Sequence, residues 1–116
     1  MKILFKEDKD IKPLTVHVIC YREDDHYVAH CLEFDLVAQG ESIKDAYQNL
    51  LDAIELQSEY ALETGNLENL IQPAPPEYWR LLLRAEPDIE PRDGMKLPEI
   101  LASIDYKVVS NEPMYG

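Results

Sequence analysis

The chain has 116 residues and a formal net charge of −12, from 23 acidic and 11 basic residues. This length suits one domain, and no apolar run approaches the roughly 20 residues that a transmembrane helix needs. Residues 1–65 carry 14 acids and 6 bases, and residues 66–116 carry 9 acids and 5 bases. Neither half therefore suits binding to a phosphate backbone, whereas an acidic surface suits a basic partner or serves only solubility.

The N-terminus and the cysteines indicate the compartment. The first twelve residues, MKILFKEDKDIK, are interrupted by charges and lack the pattern of a signal peptide, so we expect a cytoplasmic protein. Cys20 and Cys31 have no metal-like spacing to other ligands, and we expect them to be reduced and buried.

A β-hairpin is predicted over residues 14–22 and 26–32, where β-formers alternate in polarity. A two-residue loop at Glu23-Asp24 would pair Cys20 with Tyr27 and Val18 with Ala29 on the buried face. Cys20 and Cys31 would then lie roughly 13 Å apart, too far for a disulfide.

The other face of this hairpin is predicted to be open. In the same register His17 lies opposite His30, and Tyr21 lies opposite His26. Because this face points away from the predicted helix, we take these four side chains as candidates for partner binding. The same face could equally form a homodimer contact.

A third strand and a long helix follow the hairpin. Residues 36–40 are predicted as a strand, and the helix covers 42–64, with Ser42 as N-cap and Gly65 just past its end. Its buried stripe recurs at helical spacing: Ile43, Ala46, Tyr47, Leu50, Ile54 and Ala61, widened by Leu51 and Tyr60.

The composition changes after this helix, where prolines become frequent. Short helices are predicted over 75–85 and 97–104, and a strand over 105–109 at an edge of the sheet. The predicted fold is α+β: a three-stranded or larger, mainly antiparallel sheet with one long helix on one face, plus short C-terminal helices. Residues 1–70 form its core, and residues 71–116 form an extension packed on that core or on a second protomer.

Few residues suggest catalysis or a metal. His17, His26 and His30 share a face, but they offer only part of a metal site, and the acids fall in turns or on the outer helix face. No nucleophile stands in a recognised motif, so we expect no catalytic residue, metal or cofactor. Tyr78 and Trp79 could stack on nucleobases, but in acidic surroundings they suit packing on the domain or on a second protomer, and we add them to the partner-binding candidates.

The ordered set of motifs resembles a known family. The hairpin VHVICYREDDHYVAHCLEF, the strand DLVAQG and the helix ESIKDAYQNLLDAIELQ follow the order of the HicB-like antitoxin domain over roughly residues 14–65. The corresponding positions are Cys31-Leu32-Glu33-Phe34, Gln39-Gly40-Glu41-Ser42, Asp45-Ala46, Asn49-Leu50 and Asp52-Ala53-Ile54. Leu32 stands where the family often has proline.

The resemblance implies a truncated ribonuclease-H-like fold without nuclease activity. It also implies an oligomeric protein that covers a small basic ribonuclease of the HicA type. Many such proteins add a C-terminal DNA-binding module. In this chain residues 66–116 are acidic and interrupted by prolines, so direct DNA binding is doubtful. Two rival hypotheses remain: a repressor whose basic patch forms on oligomerisation, and a remnant hydrolase that uses Glu33 or Asp35.

Overall fold

The computed structural model describes residues 13–87 and 97–109. Over these residues the fold is α+β, as the sequence predicts, with a five-stranded mixed sheet and one long helix. The predicted segments 1–70 and 71–116 also include residues 1–12, 88–96 and 110–116, which lie outside the described residues. The strands are β1 (Leu14–Glu23), β2 (His26–Cys31), β3 (Leu36–Gly40), β4 (Glu86–Pro87) and β5 (Leu101–Val108). The helices are α1 (Ile43–Thr64) and α2 (Pro76–Arg80), with 3-10 turns at Leu67–Leu70 and Leu81–Leu83.

The strand β1 occupies the centre of the sheet, whose order is β3-β2-β1-β5-β4. β1 pairs antiparallel with β2 and parallel with β5, while β2–β3 and β4–β5 are antiparallel. Because β1 has neighbours on both sides, its backbone groups are satisfied within the sheet. Its buried side chains leave the sheet on both faces: Val16, Val18 and Cys20 on one, Ile19 on the other.

The helix α1 begins and ends where local signals in the sequence place it. The Ser42 hydroxyl accepts a hydrogen bond from the backbone N–H of Asp45 at 3.0 Å. Gly65 follows the last turn with φ of 74°, a left-handed conformation that suits glycine. No helix within the described ranges is long and apolar enough to cross a membrane.

One face of the sheet packs against α1. The core between them consists of fully or almost fully buried side chains from both elements: Val16, Val18, Cys20, Ala29, Cys31, Ala46, Tyr47, Leu50 and Ile54. The Tyr47 ring lies 4.5 Å, centroid to centroid, from the ring of Tyr106 on β5. The long helix therefore ties β5 to the hairpin through side chains as well as through the sheet.

The predicted hairpin register is wrong. The turn is formed by Asp24 and Asp25, so Glu23 pairs with His26, and every predicted partner moves by two residues. Asp24 adopts φ of 56°, which aspartate tolerates better than most residues and which allows the turn to begin there. A shift by two residues preserves the face on which each side chain lies, so the buried set remains as predicted.

The predicted helix over 97–104 is also wrong. The chain turns at residues 99–100, and β5 then runs from Leu101 to Val108, parallel to β1. Here tertiary context overrides the helical pattern, because β1 presents backbone groups that a neighbouring strand must satisfy. The predicted strand 105–109 coincides with the second half of β5, which lies inside the sheet between β1 and β4 rather than at its edge.

The predicted helix over 75–85 forms as a shorter α2 followed by a 3-10 turn, Leu81–Leu83. Pro76 occupies the first turn of α2, where its missing N–H costs nothing. The backbone N–H of Ala74 donates to the carbonyl of Leu32 at 2.8 Å, which fastens the start of this segment beside β2.

The glycine between β3 and α1 leads to a test of this packing. A Cβ at Gly40 would lie 2.7 Å from the Cβ of Asp45 and would also meet the backbone N of Ala46. We expect Gly40→Ala to lower the free energy of unfolding by about 1–3 kcal/mol in urea denaturation. The added methyl group would meet backbone atoms of α1, which cannot move aside as the end of a flexible side chain can.

Gly65→Asn is the control for this change. A Cβ at Gly65 meets nothing within 4 Å, and asparagine tolerates the left-handed conformation. If Gly40→Ala lowers the free energy of unfolding no more than Gly65→Asn does, the result would contradict the close approach of α1 to β3.

Candidate functional site

The sheet face opposite α1, which the sequence predicts to be open, is covered by the chain itself. Residues 74–85, here called the covering segment, pack across it. The contact is a second apolar cluster, built on Ile19, Leu32, Ala74 and Val109 with Tyr21, Tyr78, Trp79, Leu81, Leu82 and Ala85 against it. The expectation of an exposed face is therefore wrong, because the C-terminal part of the chain occupies it.

His17 is held by a carboxylate from the turn after β2. Glu33 accepts one hydrogen bond from the backbone N–H of His17 at 2.8 Å and another from the ring Nδ1 at 2.6 Å. On the other side of the ring, Asp105 on β5 has its Oδ2 at 3.9 Å from Nε2. The ring of Trp79 lies 6.1 Å away, centroid to centroid. The imidazole thus remains partly exposed, between two acids and the covering segment.

His30 is buried, with only 2% of its surface exposed. Its Nε2 donates to Asp35 Oδ1 at 2.7 Å, and its ring meets that of Tyr78 edge-on at 4.7 Å between centroids. Asp35 adopts φ of 53°, which turns the chain so that the carboxylate reaches back to β2. The His30 side chain therefore contacts the covering segment rather than solvent.

The remaining predicted residues do not converge. Tyr21 lies opposite Val28 rather than His26, and His26 pairs with Glu23 at the hairpin end, with its ring 3.6 Å from the Asp25 carboxylate. His17 and His30 share a face but are not directly opposite, since His30 pairs with Ile19. In the part of the chain that the structure describes, no three His, Cys, Asp or Glu side chains group in a way that could hold a metal ion.

Burial raises the pKa of two side chains of the hairpin, Tyr21 on the covered face and Cys31 on the face that packs against α1. Burial, followed by the neighbouring Tyr78, raises the pKa of Tyr21 to about 12. Burial likewise raises the pKa of the Cys31 thiol to about 12. Cys20 and Cys31 are buried thiols, as predicted, and they are two residue positions apart along the ladder rather than four. A protonated, enclosed thiol is a poor nucleophile.

The two histidine–carboxylate pairs resemble the base half of a catalytic triad, in which a carboxylate orients an imidazole. On the same face the aliphatic hydroxyls of Thr15 and Ser103 hydrogen bond to each other at 2.9 Å. The pairs instead connect the turn after β2 to the sheet, because each joins a carboxylate of that turn to a strand histidine. This arrangement supports a structural role for Glu33 and Asp35.

The outer side of α1 carries two exposed large apolar side chains. Leu56 and Tyr60 each expose 66% of their surface, although the sequence pattern assigns Tyr60 to the buried stripe. The helical rotation of about 100° per residue places Tyr60 roughly 140° from Tyr47, and this angle was a signal that Tyr60 faces outward. Beside Tyr60 a cleft of about 220 Å³ opens between α1, the Leu67–Leu70 turn and the start of β3.

Comparisons with known proteins leave this surface to be interpreted from its chemistry. The chain matches no family model, no curated protein and no solved structure. The partner-binding role of His17, Tyr21, His26, His30, Tyr78 and Trp79 stays a prediction, and the structure assigns Tyr78 and Trp79 an intramolecular contact.

The covering segment can be tested through the single tryptophan of the chain. Tyr78→Ala removes the ring that packs on His30, so we expect the free energy of unfolding to fall by about 1–3 kcal/mol and Trp79 emission to shift to longer wavelength. Leu83→Ala is the control, because Leu83 is 88% exposed and should change stability by less than about 0.5 kcal/mol. Equal effects of the two changes would mean that the sheet does not hold this segment.

The raised pKa of Cys31 predicts how stability depends on pH. The thiol stays protonated in the folded chain to about pH 12, whereas in the unfolded chain it ionises near its ordinary pKa of 9.0. The protonated thiol contributes fully to the free energy of unfolding below pH 9. This contribution is lost between pH 9 and 12, at about 1.4 kcal/mol per pH unit. Cys31→Ala should reduce that slope in alkaline denaturation.

Val18→Ala is the matched control for the pH dependence. Val18 pairs with Cys31 across the hairpin and is equally buried, so its truncation lowers stability at every pH without changing the slope. An unchanged slope in Cys31→Ala would show that other groups control the alkaline transition.

Proposed function

We propose that this chain is a non-enzymatic, HicB-like binding protein that neutralises a small basic ribonuclease by covering it. The observation that carries the proposal is the sign of the exposed charge. Among the residues that the structure describes, the exposed acids are Glu23, Asp24, Asp25, Asp35, Glu41, Asp45, Asp52, Glu59, Glu63, Glu68, Glu77, Glu86 and Glu99. The exposed bases are Arg22, Lys44, Arg80 and Arg84. Such a surface attracts a basic protein over long range and repels nucleic acid.

The fold supports the same proposal. Three antiparallel strands are followed by a helix on one face and then by a strand parallel to β1. This arrangement agrees with the truncated ribonuclease-H-like sheet that the sequence resemblance implies. A cytoplasmic location accompanies the proposal, since the partner acts on RNA.

The residues that a remnant hydrolase would use are engaged elsewhere. Glu33 and Asp35 each accept a hydrogen bond from a histidine, His17 and His30 respectively. Glu33 uses both of its carboxylate oxygens to hold His17, and Asp35 uses one of its oxygens to hold His30, so both carboxylates have a structural role. This favours a binding function over hydrolysis.

An alternative is a homo-oligomeric regulator, favoured by the outer edge of β3. β3 forms one end of the sheet, and Val37 on it is 51% exposed. An edge strand can extend a sheet by pairing with a second copy, and such an oligomer is compatible with the antitoxin-like function.

Inhibition of a ribonuclease tests the proposal. We expect the purified chain to reduce the activity of a HicA-type ribonuclease encoded in the neighbouring reading frame. The affinity should weaken by about tenfold or more as salt rises from about 0.05 to 0.5 M, because exposed charges are screened. Fluorogenic RNA cleavage and titration calorimetry measure the two effects.

The rival functions give different results in the same assay. Mg²⁺-dependent cleavage by the chain alone, lost in Glu33→Gln or Asp35→Asn, would support the hydrolase. Salt-sensitive binding to its own upstream DNA, without inhibition of the ribonuclease, would support the repressor. Either result would contradict the proposal that the chain is a non-enzymatic inhibitor of a ribonuclease.

A further inference from the structure

The second half of α1 carries an exposed apolar pair beside a cleft. Leu56 and Tyr60 lie one helical turn apart, and two thirds of each remains exposed. Tyr60 also forms one wall of the 220 Å³ cleft. Two large exposed side chains next to a concavity form a feature typical of protein contact surfaces.

The cleft is suited to one apolar or aromatic side chain. Its apolar lining comes from Phe34, Leu36, Ala61 and Leu70, of which Phe34, Ala61 and Leu70 are almost fully buried. Its polar lining consists of side-chain amides: Gln57, Asn66, Asn69 and Gln72. None of these residues is charged, and the volume is below the roughly 300–1,000 Å³ typical of small-molecule sites. A single anchoring side chain from another protein fits this combination.

Acidic residues border the same surface. Asp52, Glu59 and Glu63 are exposed and follow the helical repeat beside Leu56 and Tyr60. After Lys44, α1 contains no further base to neutralise them. A second copy of this chain would bring the same acids against them, so like charges disfavour self-association here.

We propose that this surface, called the anchor site (Leu56, Tyr60 and the adjoining cleft), binds a basic protein segment in which an apolar or aromatic side chain is flanked by lysine or arginine. The anchor fills the cleft and packs on Tyr60, while its basic flanks face the acidic row. This inference rests on the proposed function for the identity of the partner, and it names the surface by which that partner docks. Buried anchors of this kind supply most of the binding energy of an interface, and the charged rim supplies steering.

A synthetic peptide tests the site directly. The probe is a nonapeptide with one central phenylalanine and lysines on both sides, titrated into the full chain labelled with ¹⁵N. We expect chemical-shift changes centred on Gln57, Tyr60, Ala61 and Asn66. Replacing the phenylalanine with alanine, or the lysines with glutamate, should weaken binding about tenfold or abolish it.

Matched variants locate the contact. Tyr60→Ala should weaken peptide binding about fivefold or more, and Glu59→Gln with Glu63→Gln should reduce its salt dependence. The controls are Leu83→Ala, an exposed leucine on the covering segment, and Glu77→Gln with Glu86→Gln, which make the same changes away from α1. Circular dichroism confirms that each variant is folded, which surface positions should permit.

Several results would overturn the proposal. Peptide shifts that map away from α1, or a Tyr60→Ala variant that binds as the parent does, would remove the anchor site. Concentration-dependent dimerisation that Tyr60→Ala abolishes would identify the occupant as a second copy. Peptide binding that requires removal of residues 1–12, which carry four lysines, would identify it as the chain's own N-terminal segment.

The ribonuclease assay separates this inference from the proposed function. If Tyr60→Ala inhibits the ribonuclease as strongly as the parent chain, the anchor site is wrong and the proposed function stands. If the parent chain binds the peptide at α1 but inhibits no basic ribonuclease, the anchor site stands and the proposed function is wrong.

Discussion

The burial of β1 on both faces is the constraint on which the rest of the structure depends. Ile19 points away from α1, and yet it is as fully buried as Val18, which points towards it. An apolar side chain on that second face requires a cover, and the chain provides one from residues 74–85. The same requirement explains why Tyr78 and Trp79 lie against the sheet, and why His30 is enclosed.

This constraint also shows what the sequence could and could not predict. The bounds of α1 could be predicted because Ser42 and Gly65 act locally, through one side-chain hydrogen bond and one backbone conformation. The hairpin register could not, because a turn at Glu23-Asp24 and a turn at Asp24-Asp25 satisfy the same alternation. The candidate site was also predictable only in part. Ile19 and Val28 are apolar residues on the face that was expected to be exposed, and they were the signal in the sequence that another segment covers this face.

The strand β5 could not be predicted as a whole because its formation depends on a distant part of the chain. The segment from 97 to 104 has a helical pattern, and the free side of β1 decides its conformation. The placement of the proposed contact surface follows from the same long-range packing. With α1 on one face and the covering segment on the other, the exposed surfaces include the outer side of α1, the neighbouring cleft and the edge of β3.

The parallel pairing of β1 with β5 has a consequence for the order of folding. Thr15 and Ser103 hydrogen bond to each other although they are 88 residues apart in the chain. The hairpin, β3 and α1 involve near neighbours in sequence, whereas the central strand gains its second partner only after residues 101–108 have been synthesised. Until then the open side of β1 is an unpaired strand edge in a nascent chain. This edge must be kept from pairing with other nascent strands during synthesis, whereas in the folded protein β5 covers it.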